Sequence, residues 1–285
     1  MDEIKIEAPA KINLCLDILK KLDDGYHEIE SIIQQVDLCD TIKIKKSDSL
    51  KINCNEKIPL KENLVYKTIK LLKENFDIDT DLEITVEKEI PLAAGLGGGS
   101  SDAAALLKGL NSILNLNLSG DKLIEIGSKI GMDVPFSIIG GTCCVKGKGE
   151  KVEKISSLGR ITIVLINPGF ELKTKQAYEN LGLDDVGKKA SSEKMLKLIK
   201  RGDIREIAGN LHNDFELSTI KKYPIIHEMK ANLIKNGALN AVMSGSGPSV
   251  FGIFENEERA KVAYENLKDQ YEHVFLTKTR IQNEG

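Results

Sequence analysis

The tract from Pro91 to Ser101 constrains this chain more than any other segment of the sequence. It carries four glycines and two serines between an alternating strand pattern and an amphipathic helix pattern. Glycines at such a junction let successive N–H groups converge on an anion, and the helix dipole adds positive potential. The sequence therefore predicts a phosphate-binding loop made of Pro91, Leu92, Ala93, Ala94, Gly95, Leu96, Gly97, Gly98, Gly99, Ser100 and Ser101. A glycine-rich turn that serves only tight packing is the alternative.

This tract differs from the two common phosphate loops. No lysine follows its glycines, as a Walker loop would require, and Ser100 takes the place of the last glycine in a dinucleotide fingerprint. The sequence thus indicates a phosphate loop of another type.

Strand and helix patterns alternate along the chain and indicate a mixed α/β fold of the α+β type. Alternating apolar residues and short apolar runs predict strands at 4–8, 12–18, 41–45, 50–54, 82–88, 161–166, 241–243, 250–254 and 273–278. Helical spacing predicts helices at 63–75, 103–114, 121–130, 194–209 and 257–270. Gly131 is placed to end the third helix, Pro135 to block its continuation, and Asp133 lies in the turn between them.

The length of 285 residues suffices for two domains of ordinary size. A shift to Gly, Lys, Glu and Ser around 146–160 marks the boundary. We expect an N-terminal domain with the phosphate loop at 1–155 and a C-terminal domain at 156–285. The polar tract 183–193 is predicted to be a surface loop.

Charge and cysteine content indicate a cytoplasmic protein that acts on a small molecule. Forty basic residues against 43 acidic ones give a net charge of −3, so no nucleic acid or membrane partner is expected. The longest charge-free stretch, 236–254, is interrupted by glycines and a proline, which argues against a membrane helix. The five cysteines are scattered, and the first residues lack the apolar core of a signal peptide.

Lys11 and Asp133 are the candidates for phosphoryl-transfer chemistry. Transfer needs a group that deprotonates an acceptor hydroxyl and a cation near the phosphoryl oxygens. Lys11 and Asn13 are neighbours on one strand face, because strand side chains alternate. Each candidate has a plainer alternative: Asp133 is placed to cap the turn after it, and Lys11 to be solvated on an edge strand.

Three segments resemble the motifs of the superfamily named after galactokinase, homoserine kinase, mevalonate kinase and phosphomevalonate kinase, the GHMP kinases. The segments are residues 9–14, 91–105 and 243–248. The resemblance implies ATP as phosphoryl donor, an N-terminal α/β domain with a left-handed βαβ crossover, and a ferredoxin-like C-terminal domain. It also implies an active site in the cleft between the two.

Residues 24–31, 131–136 and 213–216 resemble one branch of this superfamily, which phosphorylates a hydroxyl of a cytidine-diphosphate-linked methylerythritol on the way to isoprenoid precursors. By this resemblance Asp133 takes the proton of the hydroxyl and Lys11 supports the developing charge. Tyr26 and Tyr178 hold the cytosine between their rings, and His27 binds its edge. From the residues alone, Tyr26 and His27 read as part of a hairpin turn.

The resemblance also implies further substrate-binding residues, which are Asn13, Thr174, Ser244, Gly245, Ser246 and Gly247. The tract from Ser244 to Ser249 has no bulky side chain and joins two predicted strands, so it is suited to close over phosphate or methylerythritol oxygens. A plain hairpin turn is the alternative.

Magnesium is expected to arrive with ATP, because Mg²⁺ keeps several waters and binds largely through phosphates. Its protein ligands are unknown, with Ser101 as one candidate. The four histidines show no metal-ligand spacing with one another or with the cysteines. We expect a monomer or a weak homodimer.

Two other functions compete with this interpretation. One is another small-molecule kinase of the superfamily, acting on homoserine or a mevalonate derivative. The other is a ligand sensor that keeps the fold without transfer. Tyr26, His27 and Tyr178 argue against the first, and the complete glycine loop with Lys11 and Asp133 argues against the second.

Overall fold

Two long strands, β1 (Glu3–Lys21) and β2 (His27–Ser47), contribute residues to both compact units of the protein. Unit 1 comprises Met1–Ala10, Leu38–Ile90 and Gly97–Ile139, and unit 2 comprises Lys11–Asp37, Pro91–Leu96 and Gly140–Gly285. The structure, a computed structural model, describes residues 3–76, 78, 81–182 and 191–281.

Further strands are β3 (Lys51–Cys54), β4 (Asp81–Glu87), β5 (Thr142–Gly147), β6 (Lys151–Lys154), β7 (Thr162–Asn167), β8 (His212–Asn213), β9 (Asn240–Met243), β10 (Val250–Phe254) and β11 (His273–Lys278). The helices are α1 (Leu64–Asn75), α2 (Gly98–Ile113), α3 (Gly120–Ile130), α4 (Val134–Ile139), α5 (Thr174–Glu179), α6 (Ser191–Arg201), α7 (Ile204–Gly209), α8 (Phe215–Lys222), α9 (Ile225–Lys235) and α10 (Glu257–Leu267).

Unit 1 combines a sheet with four helices. Strand β4 pairs with residues 41–47 of β2 in antiparallel and with β3 in parallel, and α1 connects β3 to β4. Apolar residues of α1 to α4 share one core with these strands, in which Ile42, Ile84 and Leu106 are fully buried. The structure thus contains a βαβ unit, and its predicted left-handed crossover stays a prediction.

Asn63 determines where α1 begins. Its Oδ1 accepts hydrogen bonds from the N–H groups of Val65 at 2.9 Å and Tyr66 at 3.4 Å. These amides have no partner inside the helix, so the cap satisfies both. The helix buries a stripe of residues three and four positions apart, from Val65 to Leu72, as its spacing predicted.

Unit 2 contains a four-stranded antiparallel sheet in the order β11-β7-β10-β9. Helices lie between β7 and β9, and α10 lies between β10 and β11. This strand order and connectivity are those of a ferredoxin-like domain, as the resemblance implied. Unit 2 also contains β5 and β6, which pair with each other, and β8, which pairs in parallel with Cys15 and Leu16 of β1.

The sequence-based prediction fails at two prolines and one glycine. The two opening strands are one, because a proline is tolerated where the ladder does not need its N–H, and Pro9 lies within β1. The helix predicted at 194–209 is two helices, since Gly202 with a φ of +73° follows α6 and Asp203 caps α7. Pro135 lies in the first turn of α4, where its missing N–H is not needed.

The compact units do not follow the predicted ranges 1–155 and 156–285. Strands β1 and β2 each have residues in both units, and residues 140–155 belong to unit 2. In the tract predicted to be a surface loop, 183–190 lie outside the described residues and 191–193 begin α6. Over the described ranges, we find no helix with the length and apolar character needed to cross a bilayer.

Asn63→Ala should lower the free energy of unfolding by about 1 kcal/mol, because two helix amides lose their acceptor. Urea unfolding followed by circular dichroism measures this loss. Glu74→Ala, at an exposed position in the last turn of the same helix, is the control and should change the value by less than about 0.5 kcal/mol. Equal midpoints for the two variants would contradict the capping role.

Candidate active site

The amino-terminus of α2, in unit 1, presents backbone N–H groups that the helix itself does not use. Its first turn starts at Gly98, and the amides of a first turn have no partner inside the helix. Gly97 precedes it with a φ of +69° and supplies no side-chain cap. The hydroxyl of Ser100 is on a half-buried residue, whereas Ser101 is buried. Together with the helix dipole, these amides suit a phosphate.

Hydrogen bonds to its carbonyl groups shape the loop before this helix, in unit 2. The carbonyls of Ala93, Ala94, Gly95 and Leu96 accept bonds of 2.9 to 3.3 Å from Leu172, Ser249, Ser244 and Lys11, respectively. In a planar trans peptide the next N–H points away from the carbonyl. Each amide that follows one of these carbonyls therefore points away from the group bonded to that carbonyl. Backbone concavities that bind anions are built from amides held in this way.

Gly95 makes the closest approach in this loop. It has a φ of +75°, and a Cβ there would lie 2.9 Å from the Gly247 nitrogen and even closer to the Ser244 carbonyl oxygen. Ala93 has a positive φ of 46°. A glycine is thus required at position 95 both by its backbone conformation and by the backbone atoms packed against it.

Lys11 and Asn13 are neighbours, as strand alternation predicted. Both are buried, and Lys11 Nζ donates to Asn13 Oδ1 at 2.6 Å. Asn13 Nδ2 donates in turn to Ser31 Oγ at 2.8 Å, and Ser31 Oγ donates to the Cys15 carbonyl at 2.6 Å. This chain of bonds fixes the lysine ammonium relative to β1.

The tract from Ser244 to Gly247 lies beside Lys11. A Cβ at Gly245 would come within 2.9 Å of Lys11 Nζ and 3.4 Å of Asn13 Oδ1. At the next residue, Ser246 Oγ lies 3.2 Å from Thr174 Oγ1. Unit 2 thus brings this tract together with Asn13 and Thr174, which are also predicted to bind the substrate. Their contact with a substrate stays a prediction.

The predicted base-binding aromatic residues are also in unit 2. His27 stacks on Tyr178 with ring centroids 4.6 Å apart and an angle of 15° between the planes, so the two predicted partners of cytosine contact each other. Tyr26 is 52% exposed, and Lys148 Nζ lies 4.9 Å from its ring centroid. Burial, followed by the charge of Lys21, lowers the pKa of His27. A neutral imidazole is suited to read a base edge.

Asp133 lies in unit 1, immediately before α4. Its carbonyl accepts the Ser137 N–H at 3.1 Å, which places it in the turn between α3 and α4, as predicted. A Cβ at Gly131, two residues earlier, would lie 3.6 Å from Ser100 Oγ. The segment that carries Asp133 therefore contacts the first turn of α2. The catalytic pairing of Asp133 with Lys11 joins residues of different units and stays a prediction.

Lys88, Asp40 and Asp102 form a buried charge cluster in unit 1 that the sequence analysis missed. Lys88 Nζ donates to Asp102 Oδ2 at 2.6 Å and to Asp40 Oδ2. A Cβ at Gly98 would come within 3.2 Å of the same Nζ, so the cluster supports the start of α2. Its members are separated by 14 and 48 positions, and no local pattern signals such contacts.

Asp102 is the member of this cluster with incomplete hydrogen bonding and a raised pKa. Within the described part of the chain, its Oδ1 has no hydrogen-bond partner. Burial raises the pKa of Asp102 to about 7, and the neighbouring Asp40 acts in the same direction against the attraction of Lys88. Burial of the carboxyl group, together with the second carboxylate beside it, outweighs the attraction of the ammonium that the two share.

Asp17, His212 and Asp214 form a second cluster in unit 2, with potential ligand atoms within 4.8 Å of one another. The sequence analysis missed it because it compared the histidines only with one another and with the cysteines. Asp17 Oδ2 accepts the N–H groups of Ser191 at 2.9 Å and Ser192 at 3.2 Å. Asp17 therefore caps the start of α6, which accounts for its burial.

Comparison with known proteins defines the class. The sequence matches the model of the GHMP kinases N terminal domain over residues 63–141 and that of the GHMP kinases C terminal domain over residues 195–273. The chain belongs to the GHMP kinases, which are small-molecule kinases. The homoserine kinase of Cytophaga hutchinsonii, 18% identical with a TM-score of 0.74 and coverage of 99% and 95% of the two chains, shares the fold.

Its relatives then specify the branch. The 4-diphosphocytidyl-2-C-methyl-D-erythritol kinase of Thermoanaerobacter pseudethanolicus is 45% identical over 98% of this chain and 97% of its own. That of Caldicellulosiruptor bescii is 46% identical over 97% and 98%. A crystal structure of 4-(cytidine 5'-diphospho)-2C-methyl-D-erythritol kinase, 28% identical, superposes with a TM-score of 0.85 over 98% of this chain and 100% of its own. Within the GHMP kinases, the chain is a member of this kinase family.

Gly95→Ala should destabilise the protein by about 1–3 kcal/mol more than Gly159→Ala, because its methyl group overlaps backbone atoms. Gly159 has a nearly identical φ of +76° with no atom within 4 Å of a built Cβ, so it isolates the cost of the backbone conformation. Urea unfolding measures both variants. Equal losses would show that the close approach contributes nothing.

Asp102→Asn should change how stability depends on pH. The folded protein keeps a proton on Asp102 from about pH 3.8 to about pH 7, where the unfolded chain releases it. That stabilisation is complete below the unfolded pKa and is lost as the pH rises through about 7. The variant cannot titrate there, so its stability relative to wild type should rise between about pH 5 and pH 8.

Urea unfolding at both pH values measures this change. Asp81→Asn, at a partly exposed carboxyl paired with Lys73, is the control and should show less of it. If the free energies of unfolding of Asp102→Asn and wild type differ by the same amount at both pH values, the raised pKa of Asp102 is contradicted.

Proposed function

We propose that this protein transfers the γ-phosphoryl group of ATP to the 2-hydroxyl of 4-diphosphocytidyl-2-C-methyl-D-erythritol, giving ADP and the 2-phosphate, in the non-mevalonate route to isoprenoid precursors. The names of the relatives with 45% and 46% identity support this substrate. The observation that carries the proposal is the glycine loop, whose carbonyls at residues 93–96 all accept hydrogen bonds and which leads into the amino-terminus of α2.

The triphosphate of ATP binds along residues 91–101 in this proposal. The first-turn amides of α2 have no partner inside the helix and suit the phosphate oxygens. Magnesium bound to the phosphates neutralises part of their charge when it is present. The hydroxyls of Ser100 and Ser101 are the candidate oxygen ligands for this magnesium in the loop, and Ser100 is the less buried of the two.

Asp133 and Lys11 perform the proton transfer and the charge stabilisation. Asp133 accepts the proton of the substrate's tertiary hydroxyl while the hydroxyl oxygen attacks the γ-phosphorus of ATP. The bond between the γ-phosphorus and the oxygen that leaves with ADP breaks. Lys11 stabilises the negative charge on the attacking oxygen. The bond from Lys11 Nζ to Asn13 Oδ1 uses one of three ammonium protons and directs the group without removing its charge.

The cytidine group is held by the aromatic residues of unit 2. Tyr26 is exposed enough to stack on a base, and stacking contributes about 1–3 kcal/mol per base. Tyr178 supplies a second ring and His27 a polar group for the base edge. Thr174 and the tract from Ser244 to Gly247 bind substrate oxygens.

Lys11→Ala and Asp133→Asn should each lower turnover by roughly two orders of magnitude or more, because the attacking oxygen loses its cation or its base. Coupled detection of ADP measures turnover with the cytidyl substrate, with homoserine and with mevalonate in parallel. ADP formation with homoserine or mevalonate alone would overturn the proposed substrate.

Two matched controls keep the result specific. Lys20→Ala removes an exposed lysine from the same strand as Lys11, and Asp81→Asn removes a carboxylate that is partly exposed. Both should retain wild-type turnover. Near-wild-type ADP formation by either Lys11→Ala or Asp133→Asn would defeat the role assigned to that residue.

A further inference from the structure

Asn213 holds one loop through the nitrogen of its side-chain amide. It is buried in β8, and its Nδ2 donates to the carbonyl of Met243 at 2.7 Å and to that of Gly245 at 2.8 Å. Its Oδ1 accepts the Phe215 N–H at 3.0 Å. Both amide hydrogens and the oxygen are therefore committed, and only an amide side chain of this size offers two donors and one acceptor here.

Other side chains hold the same loop at both ends. Glu216, three residues after Asn213, accepts the Met243 N–H through Oε2 at 2.9 Å. At the far end, Asn167 Nδ2 donates to Ser249 Oγ at 2.9 Å. The sequence analysis singled out residues 213–216 as a motif without a role, and the structure shows two of its members bonded to the end of β9 and the loop after it.

The held loop touches Lys11, and Asn213 is tied to the strand that carries Lys11. Strand β8 pairs with β1 so that Asn213 lies opposite Leu16. A Cβ at Gly245 would lie 2.9 Å from Lys11 Nζ, so there is no spare space between this peptide and the ammonium. A displacement of the loop would therefore change the packing around the Lys11 ammonium.

We propose that Asn213 is a positioning residue for phosphoryl transfer, which fixes the Gly245 peptide against the Lys11 ammonium through its two hydrogen bonds to the loop. The proposal rests on the proposed function, in which Lys11 acts on the attacking oxygen. Asn213 itself touches no reacting atom, and its effect passes through the loop to Lys11.

Asn213→Asp tests this role with almost no change of shape. It replaces the two-donor nitrogen by an oxygen that faces two carbonyl oxygens, so the loop should move away. We expect kcat with the cytidyl substrate to fall roughly ten- to a hundredfold, as misplacement near a reacting group does, while the KM for ATP changes less than about twofold. Hydrogen exchange should become faster in a peptide that covers residues 244–249.

Asn240→Asp is the matched control. Asn240 begins the strand whose other end Asn213 holds, and its Nδ2 donates to the Ala208 carbonyl at 2.8 Å. The control loses a similar bond, and its kcat and its exchange at 244–249 should stay at wild-type values. If Asn213→Asp lowers the melting temperature as the control does, with kcat and loop exchange unchanged, Asn213 is merely structural and the proposal is wrong.

Two further measurements keep the outcome decisive. If Asn213→Asp does not fold, Asn213→Ala takes its place, because it removes both donors without adding a charge. If the wild-type protein forms no ADP with the cytidyl substrate, the proposed function fails, and positioning for that reaction fails with it. Exchange at 244–249 still reports separately whether Asn213 holds the loop.

Discussion

Hydrogen bonds to four successive carbonyl groups, those of residues 93–96, determine the shape of the phosphate loop. Among these residues only the buried Leu96 has a large side chain to pack, so the conformation of the rest is imposed by the hydrogen bonds. The donors come from three distant parts of the chain, which contain Lys11, Leu172, and the pair Ser244 and Ser249. Because each N–H of a trans peptide points away from the carbonyl before it, these bonds also fix the directions of the amides that the proposed anion site would use.

Local signals in the sequence were sufficient for much of the fold. The helix predicted at 63–75 and the strands at 250–254 and 273–278 depend on neighbours within a few residues, and the structure confirms them as α1, β10 and β11. The ferredoxin-like order followed from the family resemblance. By contrast, the passage of β1 through Pro9 and the break at Gly202 depend on which backbone groups the surroundings need, which a single sequence does not state.

The contacts of the candidate site also fall into two groups, those that a local sequence pattern signals and those that it does not. The contact of Lys11 with Asn13 follows from strand alternation, because residues two apart share a face. The cluster of Lys88, Asp40 and Asp102 and the bonds from Asn213 to the loop join residues 14 to 48 positions apart, and no periodicity reveals them. Sequence patterns proposed candidate ligand-binding residues, and they did not reveal the residues that hold those candidates in place.

The membership of β1 and β2 in both units has a consequence for synthesis of the chain. Unit 2 needs residues 11–37 together with residues 140–285, so its early segment has to wait for a partner made much later. Strand β1 meets β8 only after residue 213 has left the ribosome. Contacts between such distant residues slow folding and leave nascent strands exposed. This enzyme is therefore expected to complete its second unit only near the end of translation, whereas every residue of unit 1 has been made by residue 139.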